Sequence, residues 1–254
     1  MAKSRSWTVI IGNDKGGVGK DLVAEGLATL MQRRAMSFQI IEVESEPRLQ
    51  PLYEETRYIP APAVSAEELY EKPDVIFQRF DELAEATGER PYNIVCLGAN
   101  LTGVFLQWSR NGGSGTLLER TDVVLCAVLT MNNAALETGL RNLAAFAEEY
   151  PDARRVAILN EYAADFVPGD KRFAKLLRDA KGESGRIETY KVPRMTAPAW
   201  GHIQNLGPLA KAAQMDAQAL VDRGLPEGIS KRSMISYRTW FENKFLPSLE
   251  KLLP

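Results

Sequence analysis

Histidine is nearly missing from this chain: His202 is the only one among 254 residues. That count excludes a histidine-based catalytic triad and a histidine metal cluster. Cysteine is almost as scarce. Cys96 and Cys126 sit in the apolar runs Ile94-Val95-Cys96-Leu97 and Val123-Val124-Leu125-Cys126-Ala127. They read as buried free thiols rather than as a redox pair or a disulfide framework. Free thiols fit a reducing compartment, so a cytoplasmic location is expected. No apolar run reaches the roughly 18 residues of a membrane span, and Met1 to Trp7 carries no apolar signal core. Neither sign of charge dominates, since 31 Lys and Arg face 33 Asp and Glu for a formal net charge of −2. A surface that attracts nucleic acid over its whole area is excluded, but a local basic patch is not.

What is present is enough apolar material, 45% of residues, to build a core without disulfides or a structural metal. The length suits one large α/β domain, alone or with a small helical extension. Short apolar runs predict six strands, at Trp7–Ile11, Phe38–Val43, Asn93–Leu97, Asp122–Leu129, Arg155–Leu159 and Ile187–Val192. Helical spacing covers Leu22–Arg34, 134–149 and 170–181, and most of Ser65–Thr87. In that last stretch Ser65 and Glu68 have capping-box spacing, and Lys72-Pro73 breaks the middle. Segment 44–62, with Pro47, Pro51, Pro60 and Pro62, reads as irregular. From Leu206 onward the chain reads as all-helical, with Leu246, Leu249, Leu252 and Leu253 as a packing face. Strands alternating with helices predict a three-layer α/β fold, a parallel β-sheet flanked by helices. We expect a nucleotide-binding domain over 1–205 and a helical C-terminal extension over 206–254, packed on the same domain. Ligands bind such sheets at the carboxyl ends of the strands.

One of those ends carries Gly12-Asn13-Asp14-Lys15-Gly16-Gly17-Val18-Gly19-Lys20-Asp21-Leu22, between the first strand and a helix. The glycines let the backbone wrap closely and turn its N–H groups inward. The helix behind them points its amino end at the same place. Lys20 then reaches the β- and γ-phosphates of a nucleotide. The alternative is a glycine turn with incidental lysines.

The loop resembles the deviant Walker A motif, Lys-Gly-Gly-x-Gly-Lys-Ser/Thr, of the ParA/MinD family of P-loop ATPases. The resemblance spans roughly residues 7–205 and implies the P-loop NTPase fold of ParA/MinD type. It also implies ATP and Mg²⁺ as cofactors and a homodimer closed around the nucleotide, with Lys15 reaching the partner's nucleotide. Asp14 stands where the usual phosphate loop has its first Gly. Asp21 stands where the family has a Ser or Thr hydroxyl on Mg²⁺. A carboxylate there can hold Mg²⁺ or favour the helix amino end. Beside a phosphate it repels by about 4 kcal/mol at about 4 Å and an effective dielectric of about 20.

Strand two ends Glu42-Val43-Glu44-Ser45-Glu46-Pro47, where the family has Asp-x-Asp. By that resemblance Glu42 positions metal-bound water and Glu44 the attacking water. The alternative is a solvated acidic loop. The Walker B acid falls on Gly98 and is missing, so one expectation is that Asp21 supplies the lost acid. Asn160, after strand five, is similar to an adenine-reading Asn of the family, or is simply a turn residue. Pro193 and Arg194 match a Pro-Arg that packs on the adenine. Residues 215–254 hold six basic and five acidic side chains, too balanced for a strong field or a basic membrane-binding tail. The family also implies non-specific DNA binding through scattered basic residues. It further implies a ParB-like, relaxosome or cargo-adaptor partner, in plasmid partition, conjugative transfer or cargo positioning. The altered acids at 21 and 98 imply slow or absent hydrolysis. The alternative is a non-hydrolysing interaction module on the same fold.

Overall fold

The computed structural model describes residues 5–62, 66–71, 74–162, 164–167, 169–182 and 185–254. Its centre is a seven-stranded sheet: β1 (Ser6–Gly12), β2 (Phe38–Glu44), β3 (Thr56–Pro60), β4 (Tyr92–Leu97), β5 (Thr121–Leu129), β6 (Arg154–Asn160) and β7 (Ile187–Val192). The order is β3-β2-β4-β1-β5-β6-β7, and every pairing is parallel. The apolar runs of β1, β2, β4 and β5 are buried on both faces. A parallel sheet covered by helices requires this.

The helices are α1 (Lys20–Arg33), α2 (Ala66–Glu71), α3 (Asp74–Ala86), α4 (Leu101–Trp108), α5 (Ser114–Leu118), α6 (Asn133–Glu149) and α7 (Lys171–Lys181). They are followed by α8 (Trp200–Ile203), α9 (Leu209–Gln214), α10 (Gln218–Val221), α11 (Glu227–Trp240) and α12 (Leu246–Leu249). Two start where side chains cap them. The Asn132 side-chain oxygen accepts the N–H groups of Ala134 and Ala135 at α6, and the Asp170 carboxylate accepts that of Phe173 at α7. Among the described residues no helix is long and apolar enough to cross a membrane.

Each face of the sheet has its own core. Ile10, Ile41, Val95, Leu97 and Leu125 pack against α3 to α7. Val9, Ile11, Ile40, Cys126 and Ile158 pack against α1 and the C-terminal helices. Leu209, Tyr237, Trp240, Phe241, Phe245, Leu249 and Leu252 belong to that second core, so the C-terminal helices help α1 cover that face of the sheet. Gly26 of α1 permits the closest approach: a Cβ there would lie 2.4 Å from Leu249 Cδ1 and 2.7 Å from the Phe245 ring. Arg33–Glu242 and Arg34–Glu250 ion pairs border the contact. Helical structure already begins at Trp200, before the expected boundary.

Two elements depart from the expectation. Segment 44–62 contains the seventh strand, β3, at the sheet edge against β2. Only Ile59 of its five residues is buried, so the segment shows no apolar run. Residues 101–118, for which periodicity predicts no element, form α4 and α5. Six of the eight residues of α4 are buried. A helix buried nearly all round has no polar face to mark its period. The expected cap at Ser65 and break at Lys72-Pro73 lie outside the described residues.

Candidate phosphate-binding site

The loop between β1 and α1 is tied down by one buried side chain. The Asn13 amide donates to the carbonyls of Val128 and Ala135, both at 2.8 Å, and its oxygen accepts the Lys15 N–H. The loop is thereby anchored to the end of β5 and the start of α6. Gly17 and Gly19 take φ values of +73° and +95°, a left-handed backbone that disfavours side chains. Gly19 has a second reason to be glycine, because a Cβ there would lie 2.5 Å from Asn160 Nδ2. That nitrogen donates to the Val18 carbonyl at 2.8 Å and clasps the loop from the β6 side.

Gly19 is the N-cap of α1 and contributes no side chain, so the first-turn N–H groups of this 14-residue helix have no side-chain cap. They carry the positive end of the helix dipole. Lys20 is buried, and its Nζ donates to the Asn13 carbonyl at 3.0 Å across the loop. Lys15, Gly16 and Gly17 are exposed, Val18 is buried and Leu22 is half-buried. The loop, the lysine and the helix end together suit a phosphate group.

The carboxylates are distributed differently from the sequence expectation. Asp14 Oδ1 accepts the Gly103 N–H and Oδ2 the Asn142 amide, both at 3.0 Å. Its backbone carbonyl accepts the Asn100 N–H. Asp14 therefore lends its backbone to the loop, while its side chain locks the loop to α4 and α6. Glu42 is buried, and both its oxygens are engaged. Oε1 accepts the N–H groups of Arg48 and Leu49 at 2.7 and 3.0 Å, and Oε2 that of Gln50 at 3.1 Å. It organises the turn after β2, where a metal-positioning role was expected of it.

Asp21 Oδ1 accepts the Cys96 thiol proton at 3.4 Å, and Oδ2 lies 3.6 Å from Arg48 Nη1. Burial, followed by the nearby Asp21 charge, pushes the Cys96 thiol well above its usual range, so the sulfur keeps its proton and donates. The carboxylate beside Gly98 belongs to Glu44. A Cβ on Gly98 would lie 2.7 Å from Glu44 Cδ and Oε1. Glu44 Oε1 also accepts the Ser45 N–H at 3.1 Å. Glu44 thus fills the space above position 98, while Asp21, the acid expected to replace the lost one, is engaged by Cys96 and Arg48.

These groups do not fit a magnesium site built on the family's pattern. Glu42 already accepts three backbone N–H groups, position 98 offers no side chain, and Asp21 is paired with a guanidinium and a thiol. Among the described residues no group of three or more His, Cys, Asp and Glu could hold a metal ion.

On the far side of the loop, Asn160 at the end of β6 is level with Val192 of β7. Asn160 Oδ1 accepts the Tyr162 N–H, so its amide is a brace for the loop with one N–H still to place. The Pro193 carbonyl accepts the Trp240 indole N–H at 2.7 Å. Arg194 Nε donates to the Glu161 carbonyl, and its guanidinium lies 3.7 Å from Asp165. Asn160, Pro193 and Arg194 therefore share the strand-end rim with the loop. Sequence reasoning missed Asn13, Cys96, Asn142 and Arg48 as members of the site. No motif marks them, because their roles come from long-range contacts. A cleft of about 490 Å³ lined by Arg5, Arg90, Arg120, Glu85, Glu89 and Glu119 lies at the opposite, amino ends of the strands. Its charges are mixed, and none of its lining residues belongs to the loop.

No family model matches this chain, and no curated protein matches it. Solved structures are similar in architecture. The MinD cell division protein of Aquifex aeolicus has a TM-score of 0.44 and 11% identity, over 92% of this chain and 95% of that one. A putative plasmid partition protein of Borrelia burgdorferi bound to AMPPNP has a TM-score of 0.40 and 15% identity, over 74% and 85%. An ATP complex of Cyanothece McdA has a TM-score of 0.42 and 14% identity, over 93% and 96%. Likeness at this level carries no functional argument, and the functional reading rests on this chain's own geometry.

Proposed function

We propose that this protein binds ATP in the β1–α1 loop and acts as a nucleotide-dependent dimer switch of ParA type, in DNA or plasmid partition, transfer or cargo positioning. One observation carries the reading: an anchored glycine loop, with two left-handed glycines and Lys20 held across it, at the uncapped amino end of α1. The backbone N–H groups and Lys20 bind the phosphates. Lys15, exposed at the loop's rim, is placed to reach a partner's nucleotide. Asn160, Pro193 and Arg194 face the base. Glu44, held above Gly98, is the acid available to orient an attacking water. With Glu42 engaged and no acid at position 98, hydrolysis is slow. The partner is a second copy of the chain together with a ParB-like, relaxosome or cargo-adaptor protein, and DNA contact is non-specific. The reading places the protein in the cytoplasm.

Calorimetric titration of the full chain with ATP, and sedimentation with and without ATP, test the proposal. Binding that is lost in Lys20→Ala, and ATP-induced dimers that are lost in Lys15→Ala, are expected. Absence of binding at millimolar ATP overturns the nucleotide reading and leaves a fold used only for interaction.

A further inference from the structure

Four features converge on the residue after the loop. Asp21 brings a negative charge to the first turn of α1, beside Lys20. Its Oδ2 faces the Arg48 guanidinium at 3.6 Å. The backbone carrying Arg48 is not a loose loop: buried Glu42 grips the N–H groups of residues 48, 49 and 50, and Leu49 is sunk in the core. Gly98, two residues after the Cys96 that donates to Asp21, presents no side chain and leaves its space to Glu44.

We propose that Arg48 supplies the positive charge at the phosphate loop that a divalent ion would otherwise supply, so that this chain binds nucleoside triphosphate without Mg²⁺. The inference rests on the nucleotide reading given under Proposed function and sharpens it. Asp21 and Arg48 form a pair of zero net charge where the family's pattern has a neutral hydroxyl and a metal. A guanidinium carries five N–H donors in a rigid fork. One edge can stay on the Asp21 carboxylate while the other takes phosphate oxygens. The Arg48 side chain is 60% exposed, so its outer edge is open to an arriving phosphate while Asp21 keeps the inner edge and Glu42 holds the backbone in place. Asp21 has two functions here. It keeps the guanidinium at the mouth of the loop in the free protein, and its own charge is already compensated when the phosphates arrive.

Calorimetric titration of the full-length protein with ATP, once in MgCl₂ and once in EDTA, tests this. Wild-type Kd values within about threefold of each other in the two buffers are expected. Arg48→Ala should weaken binding in EDTA by about tenfold or more, with Mg²⁺ restoring much of it, and Arg48→Lys should lie between. Because Arg48 is exposed, an unchanged melting temperature in both variants shows that folding is intact. Wild-type binding that weakens by more than about tenfold in EDTA overturns the inference and leaves the nucleotide reading standing. Equal EDTA binding by Arg48→Ala and wild type overturns the role of Arg48. No binding in either buffer refutes the nucleotide reading itself, and the inference with it.

Discussion

Replacing Glu42 with Gln separates a structural carboxylate from a metal ligand. In the wild type, Oε1 accepts two backbone N–H groups and Oε2 accepts a third. The Gln side chain keeps one acceptor. It turns an amide N–H₂ toward either Gln50 or the Arg48–Leu49 pair, so at least one charge-assisted bond is lost and the remainder become neutral. Bonds to a charged group contribute about 1.5–3 kcal/mol each and neutral ones about 0.5–1.5 kcal/mol. Relief of the buried charge offsets part of that loss. We expect a net destabilisation of about 2–3 kcal/mol. Urea unfolding without nucleotide or Mg²⁺ measures it, and faster hydrogen exchange at the amides of residues 48–50 locates it. A loss below about 0.5 kcal/mol with unchanged exchange would refute the reasoning. A Glu42 that served only to hold metal would leave the metal-free protein as stable as before.

Gly26→Ala should destabilise although alanine is the better helix former by about 1 kcal/mol. The new methyl meets Leu249 and the Phe245 ring, and such overpacking costs about 1–3 kcal/mol. Thermal melts should show a smaller cost in a Leu249→Ala background. The paired Arg154 holds the Glu188 carboxyl at about 2, below its ordinary value of 4.5. A depressed carboxyl contributes stability that is present above its unfolded value and lost as pH falls through the folded one. Glu188→Gln should therefore flatten the acid limb between about pH 4.5 and 2. At neutral pH, after discounting for solvent screening, it should remove about 1–2 kcal/mol, as read from denaturation across that range. Gly98→Asp should not restore a magnesium acid. Its carboxyl would contend with Glu44, which lies 2.7 Å from the added Cβ, and like charges at about 4 Å repel by about 4 kcal/mol. ATP turnover should stay flat in Gly98→Asp, and a clear gain would count against the packing described here.

The parallel sheet was legible because six of its strands are apolar runs separated by helical spacing, and local pattern alone carries that signal. The loop from Asn13 to Lys20 was legible because left-handed turns demand glycine at Gly17 and Gly19. β3 and α4 were not, since one buries a single residue and the other buries nearly every side. The C-terminal helices and their leucine packing face were readable, but not the helix they pack against. That follows from Phe245 and Leu249 meeting Gly26, more than two hundred positions earlier.

The sequence by itself determined the class of fold, the position of the glycine loop and the absence of an acid at Gly98. The roles of the acids that remain were decided only by the tertiary structure. A carboxylate takes its role from the donors that reach it, and those donors come from distant parts of the chain. Asn142 reaches Asp14 across 128 positions, and Cys96 reaches Asp21 across 75. Chemical type and spacing could name Asp14, Asp21, Glu42 and Glu44 as candidates. Only packing showed that two of them hold the loops in place, one keeps a guanidinium at the loop's mouth, and one fills the space that a glycine left open.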